Sequence, residues 1–288
     1  MGGNGKPMEK MHLIFDTEKC VGCYNCMLAC QDEHVGNAWL PYTDAQEAHG
    51  GQWIRTTRHE RGKAPITEVA FVTETCRHCE NAACEKAFPD AVIRRDDGIV
   101  LLNPQKAKGN RDLVKACPYG MIQWNEELQT AQKCTMCAHL LDEGWREPRC
   151  VQACPLRALS VVKCTDEEFA QIAAKQGLKP LDCAGANKPR LVYRNLYKVN
   201  SVYVYGAVVR RDEAGIERAV EGADAVLCLN GEIITSAVTD FFGEFKIDRI
   251  PKNSGTFELR IRIGGETVHT QEIAVGDTCP NAGVITVE

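Results

Sequence analysis

Sixteen cysteines in 288 residues are the part of this protein most able to do chemistry, and twelve of them lie between Cys20 and Cys154 in short spacings. The first run, CVGCYNCMLAC, sets Cys20, Cys23, Cys26 and Cys30 at C-x2-C-x2-C-x3-C. The second, CRHCENAACEKAFPD, supplies Cys76, Cys79 and Cys84, but the position before Pro89, where a fourth ligand would stand, is Phe88. Cys117 stands alone in ACPYG, and KCTMCAHLLDEGWREPRCVQACP supplies Cys134, Cys137 and Cys150, then Cys154 before Pro155. Short turns between close cysteines aim three thiolates at one point, which suits a cubane iron–sulfur cluster. The next cysteine along cannot reach that cluster and ligates a neighbouring one.

Counting ligands turns these runs into sites. Three triads and three single cysteines make three four-thiolate sets. By the crossover rule Cys154 completes Cys20, Cys23 and Cys26, while Cys30 completes Cys134, Cys137 and Cys150. Cys117 is left for Cys76, Cys79 and Cys84, because the second run has no cysteine to trade. A fourth site would need cysteines at 88, 107, 110 and 113. Those positions hold Phe88, Ala107, Asn110 and Leu113, so a whole site is absent, with apolar residues filling part of its space. Zinc is the competing metal, since Cys134 and Cys137 alone would fit a paired-cysteine zinc site. The iron–sulfur reading predicts about twelve iron atoms per chain, in three [4Fe–4S] clusters.

The other four cysteines, Cys164, Cys183, Cys228 and Cys279, have no ligand spacing and read as small buried hydrophobes. With all twelve ligand slots filled by cysteine, His34, His49, His59, His78 and His139 read as hydrogen-bonding or packing residues. Of these, His78 and His139 stand beside the ligands. The net charge of −5 suggests no polyanion binder, and 44% apolar with 25% charged residues describes an ordinary globular chain. Disulfide scaffolds are usually much shorter. The stretch MGGNGKPMEKMHLIFD lacks the apolar core of a signal peptide, and no run is long and apolar enough for a membrane helix. Reduced thiolates in the cytoplasm are therefore expected; export with a partner that carries the signal is the alternative.

The elements that must position the cysteines read as an α+β ferredoxin-type unit over 1–163. HLIFD (12–16) is an entry strand. RRDDGIVLL (94–102) is a hairpin whose Asp-Gly suits a type I′ turn, and 105–116 is a helix leading to Cys117. An insertion over about 31–75 carries Trp39, Tyr42, Trp53, Arg55, Arg58 and Arg61, residue types enriched at interfaces, and a strand at 52–58. A helix and linker arm span 164–199. Thr165 and Glu168 form its capping box, Gly177 stops it, and an arm over 181–200 runs along the surface. From 200 to 288, alternating β runs with turns at Asn230-Gly231 and Gly264-Gly265 make a small all-β sandwich. It holds no catalytic constellation, and His269 reads as a surface residue.

The order of these runs resembles the iron–sulfur subunits of the molybdopterin oxidoreductases of the dimethyl sulfoxide reductase family. With DEH (32–34), PYT (41–43), HGGQW, RHERG, CPYGMIQWNEE, AQKCTMCAHLLD, KPRLVYRNLY and TDFFGEFKID, it is most similar to the small subunits of the transhydroxylase branch. That branch takes in pyrogallol–phloroglucinol transhydroxylase and the related resorcinol hydroxylase and catechol dehydroxylase subunits. The resemblance implies a three-cluster ferredoxin-like domain, a C-terminal transthyretin-like sandwich, and a large partner subunit. That subunit would hold molybdenum or tungsten on bis-pyranopterin guanine dinucleotide (bis-MGD) and bind a hydroxylated aromatic substrate. The chain itself is then a non-catalytic electron-transfer subunit. The alternatives are a free-standing polyferredoxin that meets an external electron donor or acceptor, and a subunit of a related enzyme with a non-aromatic substrate.

Overall fold

The structure is a computed structural model and describes residues 8–181 and 185–288. Cys183 lies outside the described residues. The molecule divides into two units, Met1–Arg58 with Phe71–Leu196, and His59–Ala70 with Tyr197–Glu288.

The first unit starts with β1 (Lys10–Asp16) and α1 (Asn25–His34), then the long hairpin β2 (Ile54–Lys63) and β3 (Ile66–Thr75), whose tip belongs to the second unit. Next come α2 (Ala83–Ala87), the hairpin β4 (Val92–Arg94) and β5 (Val100–Leu102), and α3 (Pro104–Ala107). A 3-10 turn over Arg111–Ala116 leads to β6 (Gln123–Asn125) and β7 (Thr130–Gln132). The short helices α4 (Ala138–Asp142) and α5 (Arg149–Gln152), β8 (Leu159–Cys164), α6 (Asp166–Gln176) and β9 (Leu191–Arg194) complete it.

Strand β1 is buried along almost its whole length, as a central strand must be, with β8 antiparallel on one side and β9 parallel on the other. Helix α6 covers one face, packing Phe169 on Ile14, Cys164, Leu178 and Val192. Its capping box between Thr165 and Glu168 and its left-handed Gly177 stand where the sequence puts them.

Four expectations are corrected here. The surface arm expected over 181–200 contains β9, and Leu191 and Tyr193 are among the most buried residues of the protein. Its partner β1 is far away in sequence, so no local signal announces it. The helix expected over 105–116 is broken. Asn103 caps α3 and Gly109, at positive φ, turns the backbone ahead of the 3-10 segment. The 94–102 hairpin closes with Gly98 alone at positive φ. Gly98 N–H donates to Arg95 O and Arg95 N–H to Ile99 O, the pattern of a type I turn with a glycine bulge rather than type I′. The 52–58 strand is one arm of a hairpin of two ten-residue strands.

The second unit contains the short helix α7 (Tyr197–Asn200) and strands β10 (Ser201–Arg211), β11 (Glu217–Ala219), β12 (Asp224–Leu229) and β13 (Glu232–Val238). Strands β14 (Glu244–Pro251), β15 (Gly255–Ile263), β16 (Glu266–Val275) and β17 (Asn281–Val287) follow. One sheet has β10 flanked by β11, β14 and, in parallel, β17; the other runs β13-β12-β15-β16. Alternating side chains of both sheets, including Val204, Leu227, Phe245, Ile247, Leu259 and Ile261, fill the core between them, so these strands make a β-sandwich. Asn230-Gly231 and Gly264-Gly265 are two-residue turns between paired strands, with positive φ at three glycines and Asn230. The tip of the β2–β3 hairpin joins this unit. Arg61 makes paired hydrogen bonds to Asp248 (2.8 and 2.8 Å) and to Glu68 (3.0 and 2.6 Å), with the ring of Tyr203 5.1 Å away.

Candidate metal centre

The structure brings the twelve expected cysteines into three groups. Cys20, Cys23, Cys26 and Cys154 line one cavity, walled by Phe15, Val21, Gly22, Tyr24, Leu156 and Leu159. Cys76, Cys79, Cys84 and Cys117 line another, together with Arg77, His78, Val100, Tyr119 and Lys133. Cys30, Cys134, Cys137 and Cys150 form the remaining group: Cys150 feels the charge of Cys137, Cys134 and Cys30, and Cys30 that of Cys134 and Cys137.

Helix geometry explains how two groups share two segments. Cys26 and Cys30 are one turn apart on α1, about 6 Å along its axis, so one helix serves two neighbouring sites. Cys150 on α5 and Cys154 just beyond its end repeat the device, and α1 and α5 pack together. The loops between close cysteines use left-handed backbone: Gly22 and Tyr24 in the first run, His78 in the second, Met136 and Cys137 in the last. A non-glycine residue held there costs about 1 kcal/mol or more, and such strain collects where a ligand must be held. Gly22 has a second reason to be glycine, because a Cβ would meet the Phe71 ring at 2.5 Å.

The electrostatics show what these cavities need. Burial pushes the thiols of Cys79 and Cys137 up to about 12, with neighbouring cysteines adding to the rise. Burial raises Cys26 and Cys134 too, and Cys30 and Cys150 well above the ordinary thiol value. Four such thiols ionise together only around a cation that coordinates them. Among the described residues no three histidine, cysteine or acidic side chains converge tightly enough for a single metal ion.

The remaining donors also fit a sulfur-rich group. Backbone N–H groups donate to sulfur from Met121 to Cys117 (3.4 Å), Met136 to Cys134 (3.3 Å) and Leu159 to Cys154 (3.4 Å). Thr73 reaches Cys20 and Cys26, and Thr75 reaches Cys134. His78 is fully buried. Its Nδ1 accepts from Val100 N–H at 3.0 Å, which puts the proton on Nε2, and Nε2 has no partner among the described residues although the ring lines the second cavity. A cluster in that cavity would give this orphaned donor an acceptor. His34 lies with Nε2 3.9 Å from Cys137 Sγ, and His139 is stacked on Trp39 and paired with Glu33 Oε1 at 3.0 Å. His269 is half-buried on β16, with Nε2 3.2 Å from Gln271 Oε1.

Lys133, the residue before the last cysteine run, is a contact that ligand spacing does not announce. It is buried, and its Nζ lies 3.3 Å from Cys76 Sγ. Its position in KCTMC is visible in the sequence; the approach of the Cys76 loop is not. Three of the four positions where a further ligand set would stand belong to apolar packing. Ala107 and Leu113 are completely buried in an apolar cluster with Val92, Leu102 and Ile122, and Phe88 packs against it. Several interface-type residues of the insertion work within the molecule. Trp53 is buried beside His34, and Tyr42 Oη donates to Asp142 (2.5 Å). Cys164, Cys228 and Cys279 are buried singly, as expected of small hydrophobes.

Comparison with known proteins agrees with this chemistry. The family model described as a 4Fe-4S dicluster domain matches residues 67–164, and that of a 4Fe-4S binding domain matches 13–33. The protein is 38% identical to the pyrogallol hydroxytransferase small subunit of Pelobacter acidigallici over 96% of its own length and 99% of that relative. It is 31% identical to a component of the anaerobic dimethyl sulfoxide reductase of Haemophilus influenzae, over 65% of its own length and 90% of the relative. To a component of the tetrathionate reductase of Salmonella typhimurium it is 33% identical, over 52% and 56%. On cysteine chemistry and near-full-length similarity together, the protein belongs to the family of the pyrogallol hydroxytransferase small subunit, within the iron–sulfur subunits of the dimethyl sulfoxide reductase type, and is an iron–sulfur electron-transfer subunit.

Proposed function

We propose that the protein carries three [4Fe–4S] clusters and relays electrons to or from a large subunit that holds molybdenum or tungsten on bis-MGD and acts on a hydroxylated aromatic ring. The ligand sets are Cys20, Cys23, Cys26 and Cys154; Cys30, Cys134, Cys137 and Cys150; and Cys76, Cys79, Cys84 and Cys117. The observation that carries this reading is the gathering of these cysteines into three groups in a chain that matches a small subunit from end to end. Bound clusters supply one-electron redox chemistry. The protein's own residues neutralise them with thiolates, donate N–H and O–H groups to sulfur, and wall them with apolar side chains that limit water. The aromatic substrate and the large partner rest on the similarity to the pyrogallol hydroxytransferase small subunit. No helix among the described residues is long and apolar enough to cross a membrane, and we place the complex in the cytoplasm.

The test is native purification under strict anaerobiosis with metal analysis. The expected result is a heterodimer with about twelve iron atoms in this chain, about one molybdenum or tungsten in its partner, and activity on di- or trihydroxybenzenes. A lone brown protein without either metal would replace this reading with a free-standing carrier. Stoichiometric zinc with little iron would remove the clusters altogether.

A further inference from the structure

The three cysteine groups are adjacent in a definite order. Helix α1 carries Cys26 of the first group one turn before Cys30 of the second, and one side chain reaches both Cys76 Sγ of the third and the backbone of Cys134 of the second. At the junction of the second and third groups sits Lys133. Its three ammonium hydrogens have three acceptors: Cys76 Sγ at 3.3 Å, Cys134 O at 3.1 Å and Val100 O. The ammonium is saturated and held in place. It is buried, and the charged groups that act on it are the sulfurs of Cys76, Cys134 and Cys84. An unpaired buried ammonium is costly, and its nearest compensation is the negative charge of the cysteine sulfurs.

The placement is not symmetric. The ammonium touches a sulfur of the third group, whereas toward the second it touches only the Cys134 carbonyl. Adding an electron makes a cluster more negative, so a fixed positive charge stabilises the reduced state most at the group it touches. We propose that Lys133 is a positioning charge that raises the reduction potential of the cluster held by Cys76, Cys79, Cys84 and Cys117, so that electrons come to rest at that end of the array. This rests on the three-cluster reading above and adds a residue and a direction to it.

Potentiometric titration of the anaerobic complex, followed by paramagnetic resonance, tests the inference. Wild type is compared with Lys133→Met, which keeps the length and removes the charge, and Lys133→Arg, which keeps the charge. The Cys117→Ser protein identifies the signal of the third group by its loss. In Lys133→Met that signal is expected to lose at least tenfold in its reduced-to-oxidised ratio at fixed potential, about 59 mV for one electron. The other two signals should move less, and Lys133→Arg should restore most of the ratio. Unchanged midpoints in a Lys133→Met protein with full iron would overturn the inference alone. A Lys133→Met protein that lacks only the third cluster would also overturn it, because the lysine would then support assembly. Wild type without three clusters would overturn the underlying reading and the inference with it.

Discussion

A buried thiol beside other thiols stays protonated unless something positive sits against it. That holds at Cys79 and Cys137, pushed up to about 12, and it makes these cavities poor places for free cysteines. It also makes the pairing testable one residue at a time. Cys117→Ser should remove the cluster of Cys76, Cys79 and Cys84 and lower the iron content by about a third. Phe88→Ser should leave the iron unchanged and cost about 2 kcal/mol of stability, since Phe88 packs against an apolar cluster and is half-buried. Iron analysis and thermal unfolding of the two variants check both statements; loss of a cluster from the Phe88 variant would contradict the pairing. At this scale the twelve cysteines were legible because ligand spacing is local. The contacts of Thr73, Thr75 and His34 were not, because strand and loop packing brings them to the sulfurs from elsewhere in the protein, and neither was that of Lys133, which stands next to Cys134 but meets a loop from Cys76.

Among the elements, legibility depended on how far away each partner lies in sequence. The α6 helix, bounded by Thr165, Glu168 and Gly177, and the turns at Asn230-Gly231 and Gly264-Gly265 carry their instructions within a few residues. Strand β9 carries only four, LVYR, and is a strand because β1 lies beside it. The β2–β3 hairpin was seen only in part, since strongly charged strands such as IRTTRHERGK do not alternate in hydrophobicity. Its tip is held by chemistry that burial patterns do not reveal, the fork of Arg61 between Glu68 and Asp248. Arg61 is the buried member of a partly exposed ion set in which Lys246 also pairs with Glu68 and Asp248. Arg61→Met should therefore destabilise the second unit by about 1–2 kcal/mol. Arg61→Lys should recover only part of this, because an ammonium cannot grip both carboxylates as a planar guanidinium does. Hydrogen exchange at the amides of 59–70 and 244–248 would read the loss; unchanged protection would mean that the tip is held without Arg61, by the Lys246–Glu68 pair and by Tyr203 and Tyr205, whose hydroxyls donate to the carbonyls of Arg61, Ile66 and Lys63.

For the whole molecule the order of the three cysteine groups matters more than their number. The sequence lists them with Cys76, Cys79 and Cys84 between the other two runs, but in space that group is at one end. The group of Cys30, Cys134, Cys137 and Cys150 is in the middle, because α1 carries Cys26 and Cys30, α5 and the turn beyond it carry Cys150 and Cys154, and Cys134 lies beside Cys76. Phe88, Ala107 and Leu113 belong to the apolar packing beside Cys84 and Cys117, so the array ends there. A linear array with a middle station has a magnetic signature, because paramagnetic neighbours couple and distant ones do not. In the fully reduced protein all three signals should be broadened by coupling. Cys150→Ala removes the middle cluster and should leave two separate, uncoupled signals. Cys117→Ser removes an end and should leave one coupled pair. If the two remaining clusters of Cys150→Ala still couple strongly, the ends are neighbours and electrons need not pass through the middle. If they do not, the group built from three distant segments of the sequence is the obligatory station, and its loss should stop turnover in the complex while the end clusters can still be reduced chemically.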